Sequence, residues 1–416
     1  MSMFWWNGVL VVGNIMMISG GDSVTRESLS ITGLVLGIVA VGIEGLVISP
    51  ILSDLARDFG EDAAQSAWAV AVYGLALAVT APVVGLWGGR LPRKVVMGAG
   101  LMTFIVAGLL CAASWSFAML VAARALCGAG AGAFLPCCYA YVGDRTSYED
   151  RGRVMGRVMA GWSLALIAGV PLGSWAGELW GWRATFVGVG ALGTVALCLV
   201  MRLPTALSPA AAANAGRSFR QDAMSIWCSS VPRLLLVNFL DMASFYGVYT
   251  FLGVVVRERM GVGSAVFGTL VLCYGLGLLV GTMNARLLDR LGKERTVTGT
   301  LTLLVLVFVA LTPVTANAAL LAACLLAWGL LQGLTQTAMA TLLTQAGGSA
   351  RSFATACMSC TTYLAVAVGA SGGGVLLQAH GFTALSWAGA LCALTAGLIL
   401  HRGRAKAGVS ARAVNQ

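Results

Sequence analysis

Three formally charged side chains lie well inside apolar stretches of this 416-residue chain: Glu44, Arg124 and Asp241. A charge at the centre of a membrane-spanning helix costs about 2.5–3.5 kcal/mol even on insertion scales, so such groups find a cavity or a partner and mark function. Desolvation favours the protonated form of a carboxylate, and a nearby arginine favours the charged form. A group under both influences can exchange protons as its surroundings alternate. Glu44, Arg124 and Asp241 are therefore the expected proton-coupling residues. The alternative for Glu44 with Arg124 is a static buried ion pair, and for Asp241 a peripheral acid at a helix end.

Polar and aromatic residues at helical spacing propose a substrate cavity formed by Asn238, Phe245, Tyr249, Tyr274, Gln332, Gln336 and Tyr363. Trp328, Gln332 and Gln336 follow an i, i+4, i+8 series that puts both amides on one helix face. Amides do not face lipid without partners, so they line a cavity or bond to neighbouring helices. Other chemistry is not indicated. Ten of the 11 cysteines fall in apolar segments, where cysteine behaves as a small hydrophobe; no metal or cofactor is expected. The two histidines, His380 and His401, fall in a loop and the tail. No Ser–His pair or His cluster suggests an enzyme.

The elements that must position these residues follow from composition. Hydrophobic residues make up 58% and charged ones 10%, against roughly 25% charged in soluble domains, and the mean hydropathy is +0.87. A soluble enzyme, a nucleic-acid binder and a β-barrel are excluded. A helix needs about 20 apolar residues to cross a bilayer. Twelve such spans are predicted at Leu29–Leu52, Ala67–Trp87, Val95–Ala113, Phe117–Val142, Val154–Trp175, Ala184–Val200, Leu234–Val256, Ala265–Ala285, Val297–Thr315, Ala318–Leu343, Phe353–Leu377 and Ala384–Leu400; they are numbered 1 to 12 below. With the N-terminus inside, 21 of the 26 Lys and Arg residues fall in cytoplasmic segments, four lie outside and Arg124 lies within span 4. That bias sets both termini in the cytoplasm and explains the net charge of +10 without nucleic acid.

The expected organisation is a cytoplasmic N-terminal segment (1–28), a six-helix bundle (29–202), a cytoplasmic linker (203–232), a second six-helix bundle (233–400) and a basic cytoplasmic tail (401–416). Phe4–Ile18 is apolar but too short to span, and Met16 or Met17 is a plausible start. The halves share a loop pattern 200 residues apart: Gly85, Gly89, Arg90, Pro92, Arg93 and Lys94 after span 2, and Ala285, Asp289, Arg290, Gly292 and Lys293 after span 8. This is the signature of a duplicated unit.

The pattern Gly-x-x-x-Asp-Arg-x-Gly-Arg/Lys in these loops resembles the major facilitator superfamily. The second copy keeps Asp289, Arg290, Gly292 and Lys293; the first keeps Gly85, Arg90, Arg93 and Lys94 but has Gly89 for the aspartate. The resemblance implies an all-α fold of two pseudo-symmetric six-helix bundles, with these loops gating the cytoplasmic side. Arg124 with Gly128, Gly130 and Gly132 resembles the embedded-arginine motif of proton-coupled members. Gly169, Pro171 and Gly173 in span 5 resemble the glycine-proline motif of antiporters. Glu44–Pro50 and Gly181–Phe186 are similar to the drug and sugar efflux branch, especially arabinose-efflux-like permeases. The implied function is proton-coupled export of a small organic molecule by a monomer in a bacterial-type cytoplasmic membrane; the alternative is a symporter or facilitator importing a sugar or other nutrient.

Overall fold

The computed structural model describes residues 22–87, 91–146, 151–204, 224, 226–227, 229–284 and 292–414. Among them there is no strand. Uniform apolar runs with no period-2 alternation leave the backbone to satisfy itself within helices, as a bilayer demands.

Span 1 comprises Asp22–Leu46 and Ile48–Phe59, bent by 50° at Val47. The sequence had suggested one continuous helix. Pro50 explains the difference, because it lacks the N–H that would bond the Leu46 carbonyl. Spans 2, 3 and 4 are Trp68–Trp87, Arg93–Ala112 and Phe117–Arg145. Span 5 joins Arg151–Leu164 to Val170–Trp180 through a π-helical turn, Ala165–Gly169. Pro171 comes two residues after that turn, and a missing donor is a common cause of such local distortion. Span 6 is Trp182–Val200, and spans 7 to 10 are Val231–Met260, Ser264–Met283, Lys293–Val314 and Ala318–Ala346.

The last helical stretch, Arg351–Val414, is two helices rather than one. It divides at Gly381, where φ is 76° and ψ 179°, a conformation essentially reserved for glycine. Spans 11 and 12 lie on either side, and the predicted basic tail continues the helix of span 12. Counting the bent pair as one span and this stretch as two gives twelve spans among the described residues.

The two six-helix bundles repeat each other at the level of packing. A Cβ at Gly128 would strike the main-chain oxygen of Tyr73, and one at Gly132 would lie 3.1 Å from that of Leu77. Span 4 thus rests on span 2 through glycines. In the second half, Gly329 meets the Tyr274 oxygen and Gly333 the Leu278 oxygen, each 201 residues on. Small residues let membrane helices approach backbone to backbone, and both halves use the same ones. Large side chains such as Leu179, Leu306 and Val375 remain exposed on the outer surface, where lipid would cover them.

Candidate functional site

Glu44 and Arg124, from spans 1 and 4, form an ion pair of 2.6 Å, and neither side chain has any exposed surface. Arg124 also donates through Nε to the Ala69 carbonyl at 2.9 Å and through Nη1 to the Glu44 carbonyl at 3.2 Å. Its guanidinium lies over the Tyr73 ring, 4.5 Å from the centroid. The spacing of Tyr73 in the sequence carries no signal of this contact. The pair is incompletely satisfied: Glu44 Oε2 and Arg124 Nη2 are buried without a hydrogen-bond partner. Desolvating two charges can cost more than their attraction returns, so the pair is weak evidence for a role in stabilising the fold.

In the second half, Asp241 is 1% exposed and lies in the middle of neighbouring helices rather than at a periphery. Its Oδ2 accepts from Gln332 Nε2 at 2.9 Å and Gln336 Nε2 at 3.0 Å, so spans 7 and 10 meet through the amides flagged by spacing alone. Asp241 Oδ1 and Gln332 Oε1 stay unpartnered. One turn further along span 7, Phe245 stacks on Tyr249 at 5.2 Å and on Tyr274 at 5.4 Å, with Trp328 edge-on at 5.4 Å. Asn238 donates to Thr362 at 2.9 Å and Thr361 at 3.2 Å on span 11. Tyr363 is 9% exposed, with its carbonyl against Gly74 of span 2. The candidate cavity residues therefore divide into an acid–amide cluster, an aromatic cluster, and the separate positions of Asn238 and Tyr363.

Two proline-freed carbonyls join the halves. Pro50 releases the Leu46 oxygen, which accepts from the Tyr249 hydroxyl at 3.1 Å. Pro82 releases the Ala78 oxygen, which accepts from Cys360 Sγ at 3.5 Å. Ser49 Oγ donates to the Tyr249 carbonyl at 2.5 Å, so the aromatic cluster is fastened to span 1 at Leu46 and Ser49, two and five residues from Glu44.

Further seals gather at one end. Arg257 makes a two-pronged bond to Asp54, both at 2.8 Å, and donates to the Pro50 carbonyl at 2.9 Å. Glu178 accepts from the Ala265 backbone at 2.7 Å, Trp175 donates to Thr269 at 3.0 Å, and Gln378 donates to Asp62 at 3.0 Å. None of these was anticipated; Arg257 ends an apolar run and reads as a topology charge. At the opposite end, the ion pairs among the described residues stay within one half: Arg93 with Asp144 at 2.6 Å and Arg233 with Glu294 at 3.7 Å.

The glycine-proline stretch has a packing role. A Cβ on Gly169 would collide with Ile43, and one on Gly173 would lie 3.0 Å from Val47, so this face of span 5 presses on span 1 beside Glu44. Pro171 is buried at the start of Val170–Trp180. Of the signature loops, Gly292 has φ 82° and caps the helix that Lys293 begins, which explains a glycine there. Gly85 lies within the helix of span 2, while Arg90, Asp289 and Arg290 lie outside the described residues.

Comparison with known proteins agrees with this architecture. The sequence profile of the Major Facilitator Superfamily matches residues 34–350 and 234–413. An uncharacterized MFS-type transporter, YwfA of Bacillus subtilis, is 35% identical over 371 residues, covering 86% of this chain and 87% of the relative. A chloramphenicol resistance protein of Streptomyces lividans is 28% identical over 261 residues, covering 62% of this chain and 66% of the relative. The crystal structure of a D-xylose–proton symporter superposes with a TM-score of 0.71 at 15% identity, over 89% of this chain and 96% of that one.

Proposed function

The chain belongs to the Major Facilitator Superfamily of membrane transporters, and from that premise we propose that it is a proton-coupled antiporter exporting a small organic molecule by alternating access. The observation that carries the reading is the fully buried Glu44–Arg124 pair with its unpartnered Oε2. A static pair gains nothing from leaving one carboxylate oxygen without a strong donor, whereas a proton carrier needs an atom to protonate. Arg124 holds the other oxygen and sets how tightly the proton competes.

In this reading the proton arrives from outside, neutralises Glu44 and loosens its bond to span 4. Substrate leaves a cavity formed by Asn238, Phe245, Tyr249, Tyr274, Gln332, Gln336 and Tyr363, with Asp241 as the second titrating group. The seals around Asp54 and Arg257 mark the outer end, so the described conformation is closed to the outside. Both termini and the 203–232 linker between bundles 29–202 and 233–400 face the cytoplasm of a bacterial-type cell, and the transporter acts as a monomer. The loops at Gly85, Arg90 and Arg93 and at Asp289, Arg290, Gly292 and Lys293 gate the inner side. The relative that confers chloramphenicol resistance supports efflux over uptake and makes chloramphenicol the first substrate to assay.

Glu44→Gln keeps the shape of the side chain and mimics the protonated form permanently. In proteoliposomes it should lose transport driven by a proton gradient while retaining substrate-for-substrate exchange, which needs no net proton movement. Concentrative transport by Glu44→Gln at the wild-type rate across pH would refute the assignment.

A further inference from the structure

Glu44 has neighbours that proton coupling does not use. Cys111, from the last turns of span 3, and Cys127, one turn after Arg124 on span 4, bring their sulfurs to Glu44, and the three ligand atoms all lie within 4.8 Å of one another. All three residues are fully buried, at 0% exposure. Both cysteines are free thiols. Glu44 Oε1 is taken by Arg124, and Oε2 is the buried atom without a partner.

We propose that Cys111, Cys127 and Glu44 form a binding site for a soft divalent cation of the zinc–cadmium–mercury class. Thiolates select soft d10 ions, and two sulfurs with one carboxylate oxygen are donor types that zinc takes, three of them leaving the fourth tetrahedral position open. Charge balance favours such an ion over a hard one. Glu44 and Arg124 already cancel, so a dication that displaces one proton from each thiol leaves the buried site neutral: M²⁺ enters, two S–H bonds break, two M–S bonds form, and two protons leave. A hard cation would not displace those protons and would stand in the bilayer uncompensated. The bound ion would take Glu44 Oε2, the oxygen that the coupling reading reserves for the proton. Occupancy would therefore arrest transport, and this consequence, unlike the site itself, rests on that reading.

Cadmium is the probe. Purified full-length protein is titrated with Cd²⁺ while the ultraviolet thiolate-to-metal charge-transfer band and proton release into weak buffer are followed. The wild type should bind one ion, with two protons released, that Cys111→Ser and Cys127→Ser bind at least about a hundredfold more weakly, since even supporting residues of metal sites are worth 10–100-fold. Glu44→Gln should keep the band and weaken binding about tenfold. Cys111→Ala and Cys127→Ala serve if a serine variant fails to fold. Titrations of all the cysteine variants that match the wild type would overturn the site. In proteoliposomes, Cd²⁺ should stop gradient-driven transport by the wild type and spare the cysteine variants. Wild-type Cd²⁺ binding with unimpaired transport would leave the site standing and overturn the role of Glu44 as proton carrier.

Discussion

If the Asp54–Arg257 bond holds the outer end closed, Asp54→Asn should open it by a calculable amount. The two bonds are charge-assisted at 2.8 Å, and the side chains are 23% and 12% exposed. Buried charge-assisted bonds contribute about 1.5–3 kcal/mol each, whereas exposed ion pairs contribute about 0.2–1 kcal/mol. Asparagine keeps one acceptor, and Arg257 keeps the Pro50 carbonyl. A net loss of about 2 kcal/mol is the reasonable middle, and at 1.36 kcal/mol per decade it shifts the closed-to-open ratio about 30-fold. Ser49 is 2% exposed beneath this seal. A Ser49→Cys background, treated from outside with a membrane-impermeant maleimide, reports the open fraction through its labelling rate. Adding Asp54→Asn should raise that rate about 30-fold. A rise below about threefold would mean that the pair is a surface ornament and that other contacts keep this end shut.

Tyr249→Phe leaves the proline-freed Leu46 carbonyl without its donor. An orphaned buried carbonyl costs about 1–3 kcal/mol, so the same labelling rate should rise about tenfold, and no change would show that the carbonyl finds another donor. Arg124→Lys retains the charge but not the planar fork; it should lose the bond to Ala69 or to Glu44, lower turnover and shift the pH optimum, and an unchanged pH profile would count against Arg124 as the tuning group. Gly329→Ala drives a Cβ into the main chain of span 8, and overpacking of this kind costs about 1–3 kcal/mol. Its thermal midpoint in detergent should fall clearly below that of Gly299→Ala, where a Cβ meets nothing within 4 Å.

How much of this was legible beforehand depended on distance along the chain. Span 4 could be read from Phe117 to Val142 because a long apolar run between charged loops has one stable form in a bilayer. Glu44, Arg124 and Asp241 stood out for the same reason: a charge in such a run demands a partner. The partner of Asp241 was half legible, since spacing placed Gln332 and Gln336 on one face but not toward span 7. Cys111 and Cys127 were read as small hydrophobes, because helix rotation, which the sequence does not state, decides whether a thiol meets lipid or a carboxylate. Span 1 was read as straight, although Pro50 marked its break. What no local pattern held was the reply from the other half: a tyrosine 203 residues away takes the carbonyl that Pro50 frees.

The duplication sharpens the case for asymmetric roles. The packing glycines repeat at an offset of 201, pairing Gly128 with Gly329 and Tyr73 with Tyr274. Carried to spans 1 and 4, the same offset sets Phe245 opposite Glu44 and Leu325 opposite Arg124. Where the first half buries an ion pair over a tyrosine, the second stacks Phe245 on the equivalent tyrosine at 5.4 Å. Its acid, Asp241, stands one turn earlier and is held by amides rather than by a guanidinium. A neighbouring arginine favours the charged form of a carboxylate, and hydrogen bonds donated to the carboxylate favour it too. The two buried acids thus sit in unlike surroundings, one paired with a guanidinium and the other held by two amides. Under the proposed antiport, that difference lets the two acids respond differently to the same proton gradient, which a symmetric pair of carboxylates would not.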